Sequence, residues 1–102
     1  MVGGGIKIWP AELDGLMERH EEIVEACAFG IPDFVAGERI GIAVKLLENS
    51  MVTAKELQDW CTEKIRRECV PDHWYILPEL PKTDRGKIKR DLVRDVCIKG
   101  KP

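Results

Sequence analysis

The chain has 102 residues, of which 44% are hydrophobic and 33% are charged, and its formal net charge is -2. This length fits one domain with a modest core, and the near-neutral charge argues against a general nucleic-acid binder. No apolar run is long enough to span a bilayer and the N-terminus does not resemble a signal peptide, so we expect a cytoplasmic protein without a membrane span.

Glycines and a proline mark the N-terminal segment. Residues 3–5 are three glycines and predict a flexible loop, and residues 6–9 alternate like a short strand. Pro10 suits the first turn of a helix, which we expect to cover a sheet. One face of this helix carries Leu13, Leu16, Met17 and His20.

Two apolar segments follow that have the composition of strands. Residues 24–30 form the first, and residues 39–47 form the second. The second strand places Ile40, Ile42, Val44 and Leu46 on one face. Residues 31–37 are predicted to connect the two strands, and antiparallel pairing is the simpler arrangement.

The second half of the chain opens with a helix signal. Thr53 and Glu56 have the spacing of a capping box, and the helix that they predict presents Leu57, Trp60, Cys61 and Ile65. Pro71 prevents its continuation, and residues 74–77 form a predicted third strand. We interpret Trp9, Trp60 and Trp74 as packing groups, because each lies within an apolar pattern.

The four cysteines include no CxxC pair and are predicted to be reduced thiols. Cys27 and Cys61 lie on predicted apolar faces and are interpreted as core residues. A zinc site drawn from Cys61, Cys69 and His73 has irregular spacing and lacks a nearby fourth ligand, so we reject it.

The most informative segment is residues 80–90, which read LPKTDRGKIKR. Pro81 fixes one backbone angle and Gly86 permits conformations closed to other residues, so residues 82–85 are predicted to form a tight turn. Lys87 follows this turn, and its compact ammonium suits phosphate or carboxylate oxygens. A phosphate-binding P-loop is excluded, because it needs glycine at position 81 and Ser or Thr at position 88. A solvated basic hairpin tip is the alternative.

A final helix is predicted after the turn, packed on the sheet through Ile88, Leu92, Val93 and Val96. Residues 82–101 hold eight bases and three acids, so this end of the chain is where an anion would dock. The predicted fold class is α+β, with a small mixed or antiparallel sheet of about three strands and helices packed on it. A short N-terminal strand or hairpin and a basic C-terminal turn and helix complete the prediction.

The segment PKTDRGKIKR resembles the closing motif of the adenylate-forming enzymes, the superfamily of acyl-CoA synthetases, peptide-synthetase adenylation domains and firefly luciferase. Three other segments agree with that family in order, GGGIKIWPAELD, HEEIVEACAFGIPDFVAGE and ELQDWCTEKIRRECVPDHWYILPELPKT. The resemblance runs from about Gly4 to Val96. It implies that residues 1–102 are the mobile C-terminal domain of an AMP-forming acyl-CoA synthetase.

The resemblance implies two sites. Lys87, placed by Gly86, matches the lysine that in this family contacts the substrate carboxylate and the α-phosphate of ATP. Gly4, Gly5 and Lys7 match the loop that lines the pantetheine tunnel for CoA after the domain rotates. Each site is completed by a large N-terminal domain, which is the expected partner.

The implied reaction converts a carboxylic acid and ATP to acyl-AMP and pyrophosphate, and then forms the CoA thioester. The family binds ATP with Mg²⁺ mainly on the large domain, so we predict no metal ligand in this chain. That domain and the hinge residues are expected outside these 102 residues. The chain alone is therefore expected to be inactive, and apolar surface left without its partner domain is expected to favour self-association.

The basic turn also bears on the enzyme subclass and on two alternative functions. The turn lacks the leucine and asparagine usual in peptide-synthetase adenylation domains, which favours a CoA ligase. Residues 37–39 match a loop that the family uses structurally and near CoA. A non-catalytic docking module of the same fold is one alternative. A small RNA-binding domain is another, but it would need aromatic residues among the cations of residues 82–101, where there are none.

Overall fold

A computed structural model describes residues 8–33 and 37–99. In these residues, three α-helices and a short 3₁₀ turn surround a three-stranded sheet. The elements in chain order are α1 (Pro10–Met17), β1 (Ile23–Asp33), β2 (Gly37–Leu46), α2 (Ala54–Thr62), the 3₁₀ turn (Arg67–Cys69), β3 (His73–Ile76) and α3 (Arg90–Lys99). The predicted α+β class is confirmed.

The sheet is mixed and has the order β1-β2-β3. β1 and β2 are antiparallel, with Ala28 opposite Ile42, whereas β3 runs parallel to β2, with Ile42 opposite Trp74. The predicted connection at residues 31–37 is too long, because pairing continues to Asp33 and resumes at Gly37. Pro32 is tolerated within this pairing because β1 is an edge strand.

Alternation along β1 and β2 gives the sheet two apolar faces, each covered by helices. The first face packs against α1 and α2 in a cluster of Leu13, Met17, Ile23, Ala26, Ala28, Ile40, Ile42, Val44, Leu57 and Cys61. The second packs against α3 in a cluster of Cys27, Phe29, Ala43, Leu80, Val93 and Cys97. The helices therefore lie on both sides of the sheet, and the predicted core roles of Cys27 and Cys61 are confirmed.

The capping box of α2 forms as predicted. The Thr53 hydroxyl accepts a hydrogen bond from the Glu56 amide at 3.2 Å, and the Glu56 carboxylate accepts one from the Thr53 amide at 2.9 Å. Trp60 and Trp74 pack against the first cluster, which confirms them as packing groups. Ile65 lies beyond the end of α2 but packs against the same cluster.

The N-terminal predictions are partly wrong. Ile8 and Trp9 are not in a strand, and residues 6 and 7 lie outside the described residues. Trp9 is the N-cap of α1 and is 75% exposed, so it is not a packing group. Its carbonyl accepts hydrogen bonds from the Glu12 and Leu13 amides, which fixes the backbone and leaves the ring in solvent.

The end of α1 and the buried face of α3 also differ from prediction. α1 stops at Met17, and His20 instead meets the Trp60 ring edge-on, with centroids 5.0 Å apart. In α3, Leu92 is 40% exposed, while Cys97 is buried beside Val93. Positions 93 and 97 are four residues apart and share one helical face, whereas position 92 lies outside that stripe.

No helix in the described part of the chain is long and apolar enough to cross a membrane. All four cysteines are free thiols and buried. Burial raises the pKa of Cys27, Cys61 and Cys97 to about 11, so these thiols are protonated and poor nucleophiles at neutral pH.

Candidate functional site

The basic segment folds into a short hairpin, residues 82–88, that leads into α3. Lys82 and Ile88 form an antiparallel bridge at its base. The Thr83 amide donates to the Lys87 carbonyl at 2.7 Å, and the Gly86 amide donates to the Thr83 carbonyl at 2.9 Å. The Thr83 hydroxyl accepts from the amides of Arg85 and Lys87, both at 3.3 Å. The tight turn predicted at residues 82–85 is confirmed, and the Thr83 side chain bonds the backbone within it.

Gly86 has a φ of 82°, a left-handed conformation that residues with a side chain rarely adopt. This conformation reverses the chain directly before Lys87. The sequence predicts a glycine-dependent turn at this position, and the backbone agrees with that prediction. Gly86 thus acts through the backbone, by directing Lys87.

Replacing Gly86 with alanine should lower the free energy of unfolding by about 1 kcal/mol, because alanine resists the left-handed region. A Cβ at this position would meet no heavy atom within 4 Å, so the expected cost is conformational and not steric. Gly86→Asn is the matched control and should cost less, because asparagine tolerates this region. Urea unfolding measures both variants, and equal losses would contradict a backbone origin.

Lys87 is exposed at this hairpin. Its ammonium forms no ion pair or hydrogen bond with any residue in the described ranges. Arg85 and Lys89 are also exposed, so the tip carries a local excess of positive charge. A solvated ammonium on a fixed turn is well suited to meeting an anionic group supplied from outside this domain.

Lys82, in contrast, is held within the domain. Its ammonium lies 3.1 Å from Glu25 Oε1 on β1 and 2.7 Å from Glu79 Oε2. Glu79 also pairs with Lys45 on β2 at 2.9 Å. Hydrogen bonds to these carboxylates raise the pKa of Lys82, with Glu79 the larger cause. This lysine anchors the hairpin and is not free to receive a ligand.

The same pairs hold the pKa of Glu79 at about 2, below its ordinary value of 4.5, mainly through the hydrogen bond from Lys82. A lowered acid pKa means that the folded state binds the proton less tightly than the unfolded chain. The pairs therefore stabilise the fold fully above pH 4.5, and their contribution is lost as the pH falls toward 2.

The variant Glu79→Gln should consequently lose stability less steeply than the unmodified chain between pH 4.5 and pH 2. Urea unfolding across this pH range gives the two slopes. Glu63→Gln is the control, because Glu63 is exposed and its carboxylate has no ion pair in the described part of the chain. Identical slopes for the unmodified chain and Glu79→Gln would show that the pairs contribute nothing in solution.

Arg90, for which the sequence is equally compatible with a solvent-facing position, is engaged at the edge of the sheet. Its Nη1 donates to Asp14 Oδ2 at 3.0 Å and to the Ala28 carbonyl at 2.6 Å. Asp14 Oδ1 in turn accepts from the Ala28 amide at 2.6 Å. The first residue of α3 is thus tied to α1 and β1. No sequence signal indicates this contact, because Asp14 and Arg90 are 76 positions apart.

The other sequence-predicted site residues either lie outside the described residues or belong to a strand away from the hairpin. Gly4, Gly5 and Lys7, predicted for CoA, lie outside the described residues. The predicted loop at residues 37–39 is the start of β2, and Arg39 lies 3.9 Å from Asp72. In the described ranges, no three His, Cys, Asp or Glu side chains are grouped to hold a metal ion. The structure therefore gathers the candidate site around Lys87.

Comparison with known proteins identifies the fold and the family. The family model of the AMP-binding enzyme C-terminal domain matches residues 12–87. Oxalate-CoA ligase of Saccharomyces cerevisiae is 38% identical over 96 residues, which cover 94% of this chain and 18% of that protein. The chain thus spans about a fifth of the length of the relatives it matches.

Comparison with solved structures identifies the same fold. A double mutant of o-succinylbenzoate CoA synthetase from Bacillus subtilis, bound with a product analogue, has a TM-score of 0.80 at 28% identity, covering 93% of this chain and 19% of its own. The Mycobacterium tuberculosis fatty acyl CoA synthetase has a TM-score of 0.84 at 22% identity, and the match covers 100% of this chain and 20% of that protein. At this identity the likeness supports the fold alone. With the family match extending over most of the folded residues and ending at Lys87, this chain belongs to the AMP-binding enzyme C-terminal domain family.

Proposed function

We propose that this chain serves as the C-terminal domain of an AMP-forming acid-CoA ligase and supplies Lys87 to the adenylation step. The observation that carries the proposal is the contrast between the cations of the basic segment. Lys82 and Arg90 are engaged in contacts within the domain, whereas the ammonium of Lys87 meets no described residue. Arg85 is also exposed on the hairpin, but Lys87 is the cation that directly follows the left-handed Gly86, so its backbone is oriented by the turn and its ammonium is available to a ligand.

The chemistry explains why a cation is needed at this step. A carboxylate oxygen attacks the α-phosphorus of ATP, a new phosphorus–oxygen bond forms, and the bond to the departing pyrophosphate breaks. The attack brings two anions together and builds charge on the phosphoryl oxygens. A positioned ammonium stabilises that charge more in the transition state than in the separated reactants, which is the condition for catalysis.

The second half-reaction is assigned to a different segment. The sulfur of CoA attacks the acyl carbon, the thioester bond forms and AMP leaves. We propose that Gly4 and Gly5 line the path of the pantetheine arm, because residues without side chains leave room for a thin ligand. Lys7 is proposed to meet a phosphate of CoA. These three residues lie outside the described ranges, so the proposal for them depends on the sequence.

The relatives support this assignment of substrates. Those that match the chain at 30% identity or more include an oxalate-CoA ligase and a malonate-CoA ligase. The o-succinylbenzoate CoA synthetase has also been solved with its acyl-adenylate intermediate, at a TM-score of 0.76 to this chain. ATP, CoA and a carboxylic acid are accordingly the proposed ligands, and Mg²⁺ is proposed to accompany ATP on the large domain.

A domain graft tests the proposal. The matched C-terminal segment of the Saccharomyces cerevisiae oxalate-CoA ligase is replaced by this chain, and thioester formation is assayed with oxalate, ATP and CoA. The graft should be active, and the ligase with the segment deleted should not. A graft that folds, by circular dichroism and gel filtration, yet supports neither half-reaction would favour the non-catalytic docking module.

A further inference from the structure

The hairpin that carries Lys87 is attached to the rest of the domain at both of its ends, and both attachments reach the edge strand β1. At the first end, Lys82 bonds Glu25 of β1 at 3.1 Å. At the second end, Arg90 bonds the carbonyl of Ala28 on the same strand at 2.6 Å. Between them the tip, with Lys87, is exposed.

The second attachment wraps around the free edge of the sheet. Asp14 lies on α1, which packs on one face, and Arg90 begins α3, which packs on the other. Together they satisfy the two backbone groups of Ala28, since Asp14 Oδ1 accepts from its amide at 2.6 Å and Arg90 donates to its carbonyl. Asp14 and Arg90 thus occupy the position that a neighbouring strand would take.

The attachment is directional because a single guanidinium nitrogen donates to two acceptors. One nitrogen, Nη1, reaches both Asp14 Oδ2 at 3.0 Å and the Ala28 carbonyl, and both acceptors are themselves fixed by the fold. Lys87 precedes Arg90 by three residues, so little backbone separates the attachment from the ammonium. A rotation of the start of α3 would therefore change where Lys87 points.

The ion pair between Asp14 and Arg90 is poorly explained by a contribution to folding stability alone. The Asp14 side chain is 18% exposed and that of Arg90 is 38% exposed. Desolvation is the largest influence on Asp14 and raises its pKa, against the opposing contributions of the Ala28 amide and Arg90. Desolvation of the two charges offsets much of their attraction, so such a pair is weak evidence of added stability and leaves room for a role in fixing geometry.

We propose that Arg90, held by Asp14 and the Ala28 carbonyl, is a positioning residue that sets the direction and reach of Lys87 for adenylation. This inference depends on the proposed function for its catalytic part. Its structural part, that Arg90 holds the hairpin, stands on the contacts of the described residues. The two parts are measured separately.

The structural part is tested on the 102-residue chain by amide hydrogen exchange. Arg90→Met should speed exchange of the Thr83 and Gly86 amides, which close the hairpin, by about tenfold or more. The amides of Asp72 and Leu77, which bond the sheet, serve as internal references and should not change. Arg94→Met is the matched control, because Arg94 lies on the same helix and pairs with Asp91 and Asp95 of that helix.

The catalytic part is tested in the oxalate-CoA ligase graft. Arg90→Met should lower kcat for adenylate formation by about 10- to 100-fold with little change in KM for ATP, because misplacing a catalytic group mainly raises the barrier of the chemical step. Thioester formation from preformed acyl adenylate should be unaffected. In a Lys87→Ala background Arg90→Met should have no further effect, since Arg90 acts through Lys87. Asp14→Asn should reproduce part of the loss.

Several results would overturn the inference. Unchanged exchange of the hairpin amides in Arg90→Met rejects the attachment, and uniformly faster exchange of hairpin and sheet amides assigns Arg90 a purely structural role. Full additivity with Lys87→Ala shows that Arg90 does not act through that lysine. If Lys87→Ala itself leaves adenylation unchanged, the proposed function and the catalytic part fail together, and the exchange data alone decide the structural part.

Discussion

Replacing Lys87 with alanine in the oxalate-CoA ligase graft should slow acyl-adenylate formation by about 10²–10³-fold, the usual cost of removing one preorganised group that stabilises transition-state charge. This loss is expected in catalysis and not in folding, because of the surroundings of the Lys87 side chain. Within the described residues the ammonium forms no internal contact, so its removal breaks no ion pair of the fold. The loss should therefore appear in catalysis, with the urea unfolding midpoint essentially unchanged.

The two half-reactions are measured separately. Pyrophosphate exchange reports adenylate formation, and CoA thioester formation from preformed acyl adenylate reports the second step. We expect the first to fall and the second to remain, because thioester formation starts from the completed adenylate and does not pass through the transition state that Lys87 is proposed to stabilise. Equal loss in both would contradict a role confined to adenylation.

Two matched variants separate charge from geometry. Lys89→Ala removes another exposed cation of the same segment and should change neither half-reaction by more than about threefold, because a solvated surface charge contributes little. Lys87→Arg retains the charge but presents a planar fork in place of a point charge, so it should recover part of the rate at most. Full activity of Lys87→Ala would leave the hairpin as scaffold and favour the docking module.

The same substitution, glycine to alanine, should have opposite effects at Gly41 and Gly15. A Cβ at Gly41 would lie 2.7 Å from the ring of Phe29 and 2.8 Å from Ile31 Cδ1, and Phe29 is buried. The ring must shift, so Gly41→Ala should lower the free energy of unfolding by about 1–3 kcal/mol. Gly15 lies within α1, where an added methyl group would meet nothing within 4 Å. Because alanine favours the helix over glycine, Gly15→Ala should raise the free energy of unfolding by up to about 1 kcal/mol.

Urea unfolding of both variants measures the difference. The comparison is controlled, because the chemical change is identical and neither glycine has a positive φ. A loss at both positions would mean that the helix does not gain from alanine, and a gain at both would mean that Phe29 and Ile31 repack freely. Either result would contradict the packing described for these two elements.

Much of the local structure could be predicted from neighbouring residues. The capping box of α2 joins residues three apart, and the turn before Lys87 is closed by Thr83 and Gly86. Alternation in β2 identifies Ile40, Ile42 and Val44 as core residues, and all three are buried. Each of these signals depends on backbone geometry over a few positions, which the residue types determine directly.

The wrong predictions have a common physical origin. The apolar neighbours of Trp9 predict packing, but its backbone caps α1 and leaves the ring exposed. The helical pattern predicts Leu92 on the packed face and does not include Cys97, yet the orientation of α3 against the sheet buries position 97 and leaves position 92 exposed. Which side of a helix meets the core depends on the elements around it, and periodicity alone does not specify that.

Hydrogen bonds between near neighbours specify the helices and the turn that places Lys87, and alternation of apolar residues marks the strands, so these features can be inferred from the order of the residues. The availability of each cation depends instead on the folded arrangement. Lys82 meets Glu25 across 57 positions and Arg90 meets Asp14 across 76, whereas Lys87 has no such partner among the described residues. These long-range contacts depend on how the chain passes around the edge of β1, and that path is set by packing of distant segments against one sheet.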